Sequence, residues 1–481
     1  MLLIAVAVFV VLIAFSAGYG YHRDELYFLA AGRQLTWAYP DQGPMTPLIA
    51  ALMNWVEPGS LVVLRLPSAA AAAGTVLLSG FLCCEVGGGR GAQVLAATCS
   101  AVAVIVLFTG HTLSTSTFDL LVWTAVTYLA VRAVRTERPW LWPVAGVVLG
   151  LGLENKPLPA FLAAALLAGL ALSGPRRVLR EPRFWLGAAI ASLMWSPWLV
   201  WQAAHGWPQL VVSGSIATGG STSSAPWWEI VPFQVLLAGP PLAIVWIAGL
   251  VRLFRDPTVR NVRFVAWAWV LLAVVFMVVG GKPYYLAGLL PLLHAAGAGP
   301  VIAWTGRGRA VLRRAVLGGV VAISAVAGAV IALPLLPAHL AGPVVAVNPD
   351  VGETIGWPDL VDTVAGVVRR LPARDHLVIL TENYGEAGAI DRYGPAHGLP
   401  PAYSGHNAYG LWGPPPDTAG PVVAVGFRPA QAASLLRGCT LAARVHNAAG
   451  IDNHEAGEAV LVCAGPQQPW SAQWPRIRHL N

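Results

Sequence analysis

Long apolar runs separated by short polar loops fill the first two thirds of the chain. Residues 2–20, 60–82, 92–109, 185–201 and 315–337 each approach the roughly 20 apolar residues needed to cross about 30 Å of hydrocarbon. Further runs near 117–134, 140–153, 157–173, 228–250, 264–279 and 286–304 raise the expectation to about eleven transmembrane helices. Residues 1–20 share the length of a signal peptide. They lack a basic leading segment and a small-residue cleavage site ahead of Tyr19–Asp24, so they are read as an uncleaved first span. Beyond residue 337 the pattern changes. Short β-rich runs at 377–381, 422–426, 440–445 and 459–463 accompany a helix over 359–371, bracketed by Pro358 and Pro372. The fold expected is an α-helical polytopic membrane domain over 1–337, followed by a small α/β domain over 338–481. No internal repeat is evident.

Composition agrees with the pattern. The chain is 56% hydrophobic and 11% charged, with mean hydropathy +0.63, whereas soluble domains carry about 25% charged residues. The net charge of +7 is spread over short loops and forms no nucleic-acid patch. Arg90, then Arg132, Arg135 and Arg138, then Arg176, Arg177, Arg180 and Arg183 occupy loops of one parity. Arg252, Arg255, Arg260 and Arg263, and then Arg307, Arg309, Arg313 and Arg314, continue the series. The positive-inside rule makes these loops cytoplasmic, which puts the N-terminus inside and the tail outside the cell membrane. Cys83, Cys84 and Cys99 fall in predicted spans and read as packing residues. Cys439 and Cys463 both fall in the tail, where an oxidising compartment permits a disulfide.

Loops of the opposite parity carry acids and the lysines. Asp24 and Glu25 follow the first span, as a solvated juxtamembrane pair or as a pair that binds metal or takes a proton. Asp119 opens the fourth span, where the helix dipole alone favours an acid. Arg65 lies just inside the second span, where it either snorkels or serves a site. Only Lys156 and Lys282 are lysines among 30 basic residues. Both precede proline at outer span ends. Snorkelling would be served equally well by arginine, whereas a compact ammonium suits a phosphate oxygen. Many of the 20 tryptophans cluster at span ends, as an interfacial belt requires. Gly87-Gly88-Gly89-Arg90-Gly91 lacks the Lys-Ser/Thr of a P-loop, and no zinc or dinucleotide signature is present.

Taken in order, these outer elements resemble the membrane-embedded, C-type glycosyltransferases of family 39. That family comprises the dolichyl-phosphate-mannose–protein mannosyltransferases and the bacterial aminoarabinose transferases. The resemblance rests on Asp24-Glu25, Pro44-Met45-Thr46-Pro47-Leu48, Arg65-Leu66-Pro67-Ser68-Ala69 and Phe118-Asp119-Leu120-Leu121. Gly150-Leu151-Gly152-Leu153-Glu154-Asn155-Lys156-Pro157 and Lys282-Pro283-Tyr284-Tyr285-Leu286 complete it, so that it covers roughly residues 1–300. It departs from the family in the first loop, where Gln42-Gly43-Pro44 replaces a His-Pro-Pro element.

The resemblance implies transfer of a sugar from a polyprenyl-phosphate donor to an acceptor hydroxyl outside the cytoplasm, with inversion. Asp24, Glu25 and Asp119 would be the catalytic acids. Lys156, Lys282, Arg65 and Tyr284 would contact the donor phosphate. The expected partners are the lipid donor, the bilayer, and an acceptor that is a protein, a glycolipid or a cell-wall glycan. No nucleic acid is expected. No organic cofactor is implied, and a divalent metal is left open. The competing reading is a transporter or flippase of lipid-linked sugars, which would place its polar groups near mid-membrane.

Overall fold

The computed structural model describes residues 1–221, 224–372 and 374–480. Its first part is helical. Helices α1 (Leu2–Phe15), α4 (Leu61–Glu85), α5 (Arg90–Ala101), α6 (Val104–His111) and α7 (Thr115–Thr136) surround a common core with α8 (Leu141–Leu153), α9 (Leu158–Ser173) and α10 (Pro182–Ala204). Between α1 and α4, the first long loop folds into α2 (Arg23–Gly32) and α3 (Met45–Val56). After α10 come α11 (Pro208–Ala217), α12 (Phe233–Ala238), α13 (Ala243–Arg255), α14 (Phe264–Val279), α15 (Leu290–Thr305) and α16 (Ala310–Ala332).

Each predicted apolar run is a helix or a bent pair of helices. Among the described residues, five helices are long and apolar enough to cross a membrane, or up to seven spans if each bent pair counts as one. The remaining runs form apolar helices of 10–17 residues, so the expectation of about eleven full-length spans is not met by length alone. The sharper break, 103° between the helices on either side of Gly239, has a local cause. Gly239 has φ +89° and is followed by Pro240 and Pro241, which have no amide hydrogens to continue a ladder. Large side chains such as Val278, Leu193 and Val311 stay 74–83% exposed on the outside of the bundle, a surface that suits lipid.

The tail begins with α17 (Gly342–Val347) and α18 (Trp357–Arg369). A five-stranded sheet follows in the order β2-β1-β3-β6-β5, built from β1 (Val378–Thr381), β2 (Ala402–Ser404), β3 (Val422–Val425), β5 (Thr440–Arg444) and β6 (Ala459–Cys463). A two-stranded ribbon pairs β4 (Leu436–Arg437) with β7 (Gly465–Pro466). The pairs β1–β2 and β1–β3 are parallel, with α19 (Tyr384–Tyr393) crossing between β1 and β2. The pairs β3–β6 and β6–β5 are antiparallel. Cys439 and Cys463 are joined by a disulfide. Helices α20 (Asn407–Leu411), α21 (Pro429–Leu435) and α22 (Trp470–Ile477) complete the domain. Sequence patterning located four of these strands and α18. It missed the three-residue β2, whose run Ala402-Tyr403-Ser404 is too short to show alternation.

The tail is not a free appendage. Leu26, Tyr27 and Phe28 of α2 share one buried core with Leu360 and Val364 of α18 and Ala387 and Ile390 of α19. Gly385 and Gly388 make this approach possible. A Cβ on Gly385 would lie 2.3 Å from the Arg23 side chain, and one on Gly388 would lie 2.9 Å from Leu26. The two glycines therefore form the face of α19 that receives α2.

Helix α2 is held from the membrane side by a buried ion pair. Glu25 and Arg65 are both 0% exposed. Arg65 Nε donates to Glu25 Oε1 at 2.8 Å and its Nη2 to Oε2 at 2.7 Å. Its other N–H groups go to the carbonyls of Ser16 and Gly20, both at 2.6 Å, and toward His111 Nε2 at 3.4 Å. Glu25 accepts further bonds from the backbone N–H of Leu113 at 2.7 Å and of His22 at 2.8 Å. Both groups are thereby saturated within the protein. The expectation that Glu25 works on substrate and that Arg65 contacts a phosphate is corrected accordingly: neither has a free bonding position or a solvent face.

Removing one partner from a buried pair costs about 3–5 kcal/mol. Arg65→Met is expected to lower the thermal unfolding midpoint of the detergent-solubilised protein sharply. The double variant Arg65→Met/Glu25→Leu is expected not to recover it, because four buried backbone groups lose their partners as well. An unchanged midpoint in the single variant would show the pair to be dispensable.

Candidate active site

Asp24 stands in the first turn of α2, not at the end of the preceding span. Tyr19 (φ +62°) and Gly20 (φ +152°) turn the chain after α1. His22 and Glu25 then close a capping box: His22 Nδ1 accepts from the Asp24 N–H at 3.1 Å, and the Glu25 carboxylate takes the His22 N–H. The helix N-terminus favours the negative charge of Asp24. The Asp24 side chain is 37% exposed. Its Oδ1 accepts a 2.9 Å bond from the hydroxyl of Tyr384, the first residue of α19. Its Oδ2 has no hydrogen-bond partner among the described residues. Burial raises the Asp24 carboxyl, but His22, Arg23, the Tyr384 hydroxyl and Lys282 together outweigh it and hold the group below the usual aspartate value.

Tyr384 was invisible as a site residue in the sequence. It lies 360 positions from Asp24, in the domain where no motif was recognised. The ring of Tyr27 stacks on it at 4.6 Å, and the Arg23 guanidinium lies 5.4 Å over its face. Arg23 also reaches Glu353 at 3.4 Å. Tyr27 donates its hydroxyl to Asp41 Oδ1 at 2.8 Å and accepts from the Ala408 N–H at 3.3 Å. Burial, resisted by the Tyr27 bond, raises the Asp41 carboxyl to about 6.

The two lysines converge on the same region. Lys282 precedes the span that begins at Pro283, and Lys156 precedes α9. Neither ammonium has an ion-pair or hydrogen-bond partner among the described residues. Lys156 Nζ lies 5.7 Å from the Tyr284 ring and 5.4 Å from the Tyr285 ring, on their π faces. Burial and the neighbouring Lys156 pull the Lys282 ammonium down to about 8, against the opposing pull of Asp24 and Asp350. The segment before α18 thus brings Asp350 of the tail to the same group.

Asp119 completes the set. It is 7% exposed and lines a small recess of about 30 Å³ with Ser116, Trp123, Tyr284 and Tyr285. The Asn155 amide approaches Asp119 Oδ1 at 3.5 Å and donates to the Thr115 carbonyl at 2.8 Å. Its carbonyl oxygen accepts from the Thr46 hydroxyl at 2.7 Å. The first loop is bolted to this turn: the Gly43 N–H donates to the Asn155 carbonyl at 3.0 Å and the Met45 N–H to that of Glu154 at 3.1 Å. A Cβ on Gly43 would stand 1.9 Å from the Glu154 carbonyl oxygen. That contact explains why Gln42-Gly43-Pro44 tolerates no larger residue in its middle. Asp24, Asp119, Lys156, Lys282 and Tyr284 therefore form one cluster, whereas Glu25 and Arg65 stand behind it as support. Among the described residues, no three His, Cys, Asp or Glu side chains are arranged to hold a metal ion.

Comparison with known proteins follows the same outline. Residues 41–201 match the family model described as dolichyl-phosphate-mannose-protein mannosyltransferase. No curated protein sequence matches the chain. Among solved structures, ArnT from Cupriavidus metallidurans bound to undecaprenyl phosphate is similar over 97% of this chain and 99% of its own, with a TM-score of 0.64 at 15% identity. The Archaeoglobus fulgidus oligosaccharyltransferase tethered to an acceptor peptide is similar over 83% of this chain and 64% of its own, with a TM-score of 0.51 at 13% identity. A mutant of the mycobacterial arabinofuranosyltransferase AftD is similar over 97% of this chain and 42% of its own, with a TM-score of 0.53 at 15% identity. Segment and fold point the same way: the chain has the fold of the C-type membrane glycosyltransferases, and its segment 41–201 matches their dolichyl-phosphate-mannose-protein mannosyltransferase family.

Proposed function

We propose that this protein transfers a sugar from a polyprenyl-phosphate donor to an acceptor hydroxyl on the extracytoplasmic side of the cell membrane, with inversion at the anomeric carbon. One observation carries the reading: Asp24, held below the usual aspartate value and with Oδ2 unbonded among the described residues, shares a cluster with two lysines that make no ion pair or hydrogen bond among those residues. Unpaired, half-buried cations are costly unless an anion arrives. A lipid phosphate is such an anion, and its chain needs the bilayer beside it. The Cupriavidus relative was crystallised with undecaprenyl phosphate, which supports the same donor class here. The arginine-rich loops support an orientation with the site and tail outside.

The reaction follows from the cluster. The donor phosphate lies against Lys156 and Lys282, with the sugar over Asp24. The acceptor oxygen attacks the anomeric carbon from the face opposite the phosphate. The carbon–oxygen bond to phosphate breaks, and its electron pair leaves on the phosphate. Both ammonium groups stabilise that charge, a gain of about 4 kcal/mol per close pair at an effective dielectric of 20. The acceptor's proton passes to the free Oδ2 of Asp24. Asp119 lies on the Lys156 side and helps to orient that lysine through the shared field.

Asp24→Asn preserves shape but accepts no proton. It is expected to cut the rate of transfer by about 10²–10⁴-fold while leaving donor binding within a few fold. Turnover at the wild-type rate would transfer the base role to Asp41, whose raised carboxyl is closer to neutrality.

The pH dependence has a definite sign. Lys282 loses its proton as pH rises through about 8, so kcat/KM with a polyprenyl-phosphate sugar is expected to fall above that pH. Lys282→Arg stays charged and is expected to erase this alkaline limb, at a lower plateau because the guanidinium is broader. An unmoved limb would assign it to another group.

Tyr384→Phe removes one hydroxyl and keeps the ring stack. The lost bond favours the protonated acid, so the acid limb of kcat/KM is expected to move upward by up to about one pH unit. A limb that stays in place would reduce Tyr384 to packing.

A further inference from the structure

A second cavity lies at the other end of α2. It measures about 360 Å³ and opens between the C-terminal end of α2 and the tail. Arg33 and Gln34 line one side; Asp391, Tyr403, Tyr409 and Trp412 line the other. The volume falls in the range of small-molecule sites, about 300–1,000 Å³. From Asp24 to Arg33 is nine residues of helix, about 14 Å at 1.5 Å per residue. The same α20 that offers Asn407 toward Asp41, at 3.5 Å, carries Tyr409 into the wall of this cavity. The two sites are therefore held in fixed relation by α2 and α20.

The lining is built rather than accidental. The ring of half-buried Trp412 packs on the buried Tyr409, with centroids 4.5 Å apart and planes inclined by 56°, and lines the cavity beside it. Asp391 is fixed at both oxygens: Oδ1 accepts from the Ala402 N–H at 3.0 Å and Oδ2 from the Tyr409 hydroxyl at 2.8 Å. Opposite it, the Arg33 guanidinium makes no hydrogen bond or ion pair among the described residues. Pro400 and Pro401 stiffen the wall, which lowers the ordering cost of a ligand. A half-buried tryptophan with a planar donor fork and a fixed carboxylate matches the alternating apolar faces and hydroxyl edges of sugar rings. It matches a lipid poorly, because charged groups line the space and no predicted span borders it.

We propose that this cavity binds a short stretch of carbohydrate, and that it holds the distal part of a glycan acceptor while a hydroxyl nearer the attached end reaches Asp24. The assignment to the acceptor rests on the transfer function proposed above; the carbohydrate site itself does not.

The test uses the full chain in nanodiscs, in the Asp24→Asn background so that no turnover intervenes. Binding of maltotetraose, cellotetraose and trigalacturonate is followed by saturation-transfer NMR and titration calorimetry. At least one is expected to bind, with affinity at least tenfold weaker in Trp412→Ala and in Arg33→Ala. Trp412→Phe, which keeps an aromatic face, is expected to retain most of the affinity and guards against misfolding. Binding by none of the three, or equal binding in Arg33→Ala and Trp412→Ala, overturns the proposal. So does displacement of the bound sugar by a proline-rich decapeptide that binds more tightly than any of them. In the active chain, Arg33→Ala is expected to raise KM for a glycan acceptor several-fold with donor KM unchanged. Sugar binding without any transfer activity would sink the enzyme reading and leave the carbohydrate site standing, whereas transfer with an acceptor KM indifferent to Arg33 would sink the acceptor role of this cavity.

Discussion

A single buried ion pair decides where everything else can sit. Arg65 belongs to a membrane helix and Glu25 to the short helix outside it, and their side chains meet where water is absent. Two charges buried this way repay their desolvation only when every remaining donor and acceptor is also matched. Here all are matched, by carbonyls at the end of the first helix and by amides at the start of α2 and ahead of α7. The pair therefore joins three chain segments at one point and fixes the direction of α2. With α2 fixed, Asp24 and Tyr27, one turn apart on the same face, both meet Tyr384 of the tail, while Leu26 packs into the core shared with α18 and α19. The neighbouring acids Asp24 and Glu25 thus have opposite fates, one open and one structural.

From this follows the joint character of the site. The membrane domain contributes the lysines, Asp119 and Tyr284, and the loop between α1 and α4 contributes Asp24 and Asp41. The tail contributes Tyr384, whose bond helps keep Asp24 ionised, and Asp350, whose field acts on Lys282. A candidate site divided among three regions is assembled only when all three are docked, and the glycine face of α19 secures that docking. The tail is thereby a part of the site's electrostatics and not merely a cap over it.

Much of this was legible in the sequence, for physical reasons that differ by element. Apolar runs are long-range averages and tolerate local irregularity, so every run was found. The broken pairs at Ala101–Val104 and at Gly239 were not found, since a bend depends on one or two residues. Lys156 and Lys282 stood out because they are the two lysines of a chain that otherwise uses arginine, and the structure brings them to one region. Arg65 was misread because depth within a span does not reveal its partner: a snorkelling arginine, a phosphate ligand and a buried clamp share one sequence position. Glu25 carried a signal that was available, since His22-Arg23-Asp24-Glu25 has the spacing of a capping box, with histidine in place of the usual serine or threonine. Tyr384 had none, because a contact across 360 residues leaves no local trace.

The central claim is that the two lysines, and not Arg65, form the seat of the donor phosphate. A structure of the protein in a lipid nanodisc with undecaprenyl phosphate tests it most directly. The account predicts phosphate density within hydrogen-bonding distance of the ammonium groups of both Lys156 and Lys282, with the Arg65–Glu25 pair unchanged behind it. Phosphate density bonded to Arg65, with Glu25 released, would contradict the account.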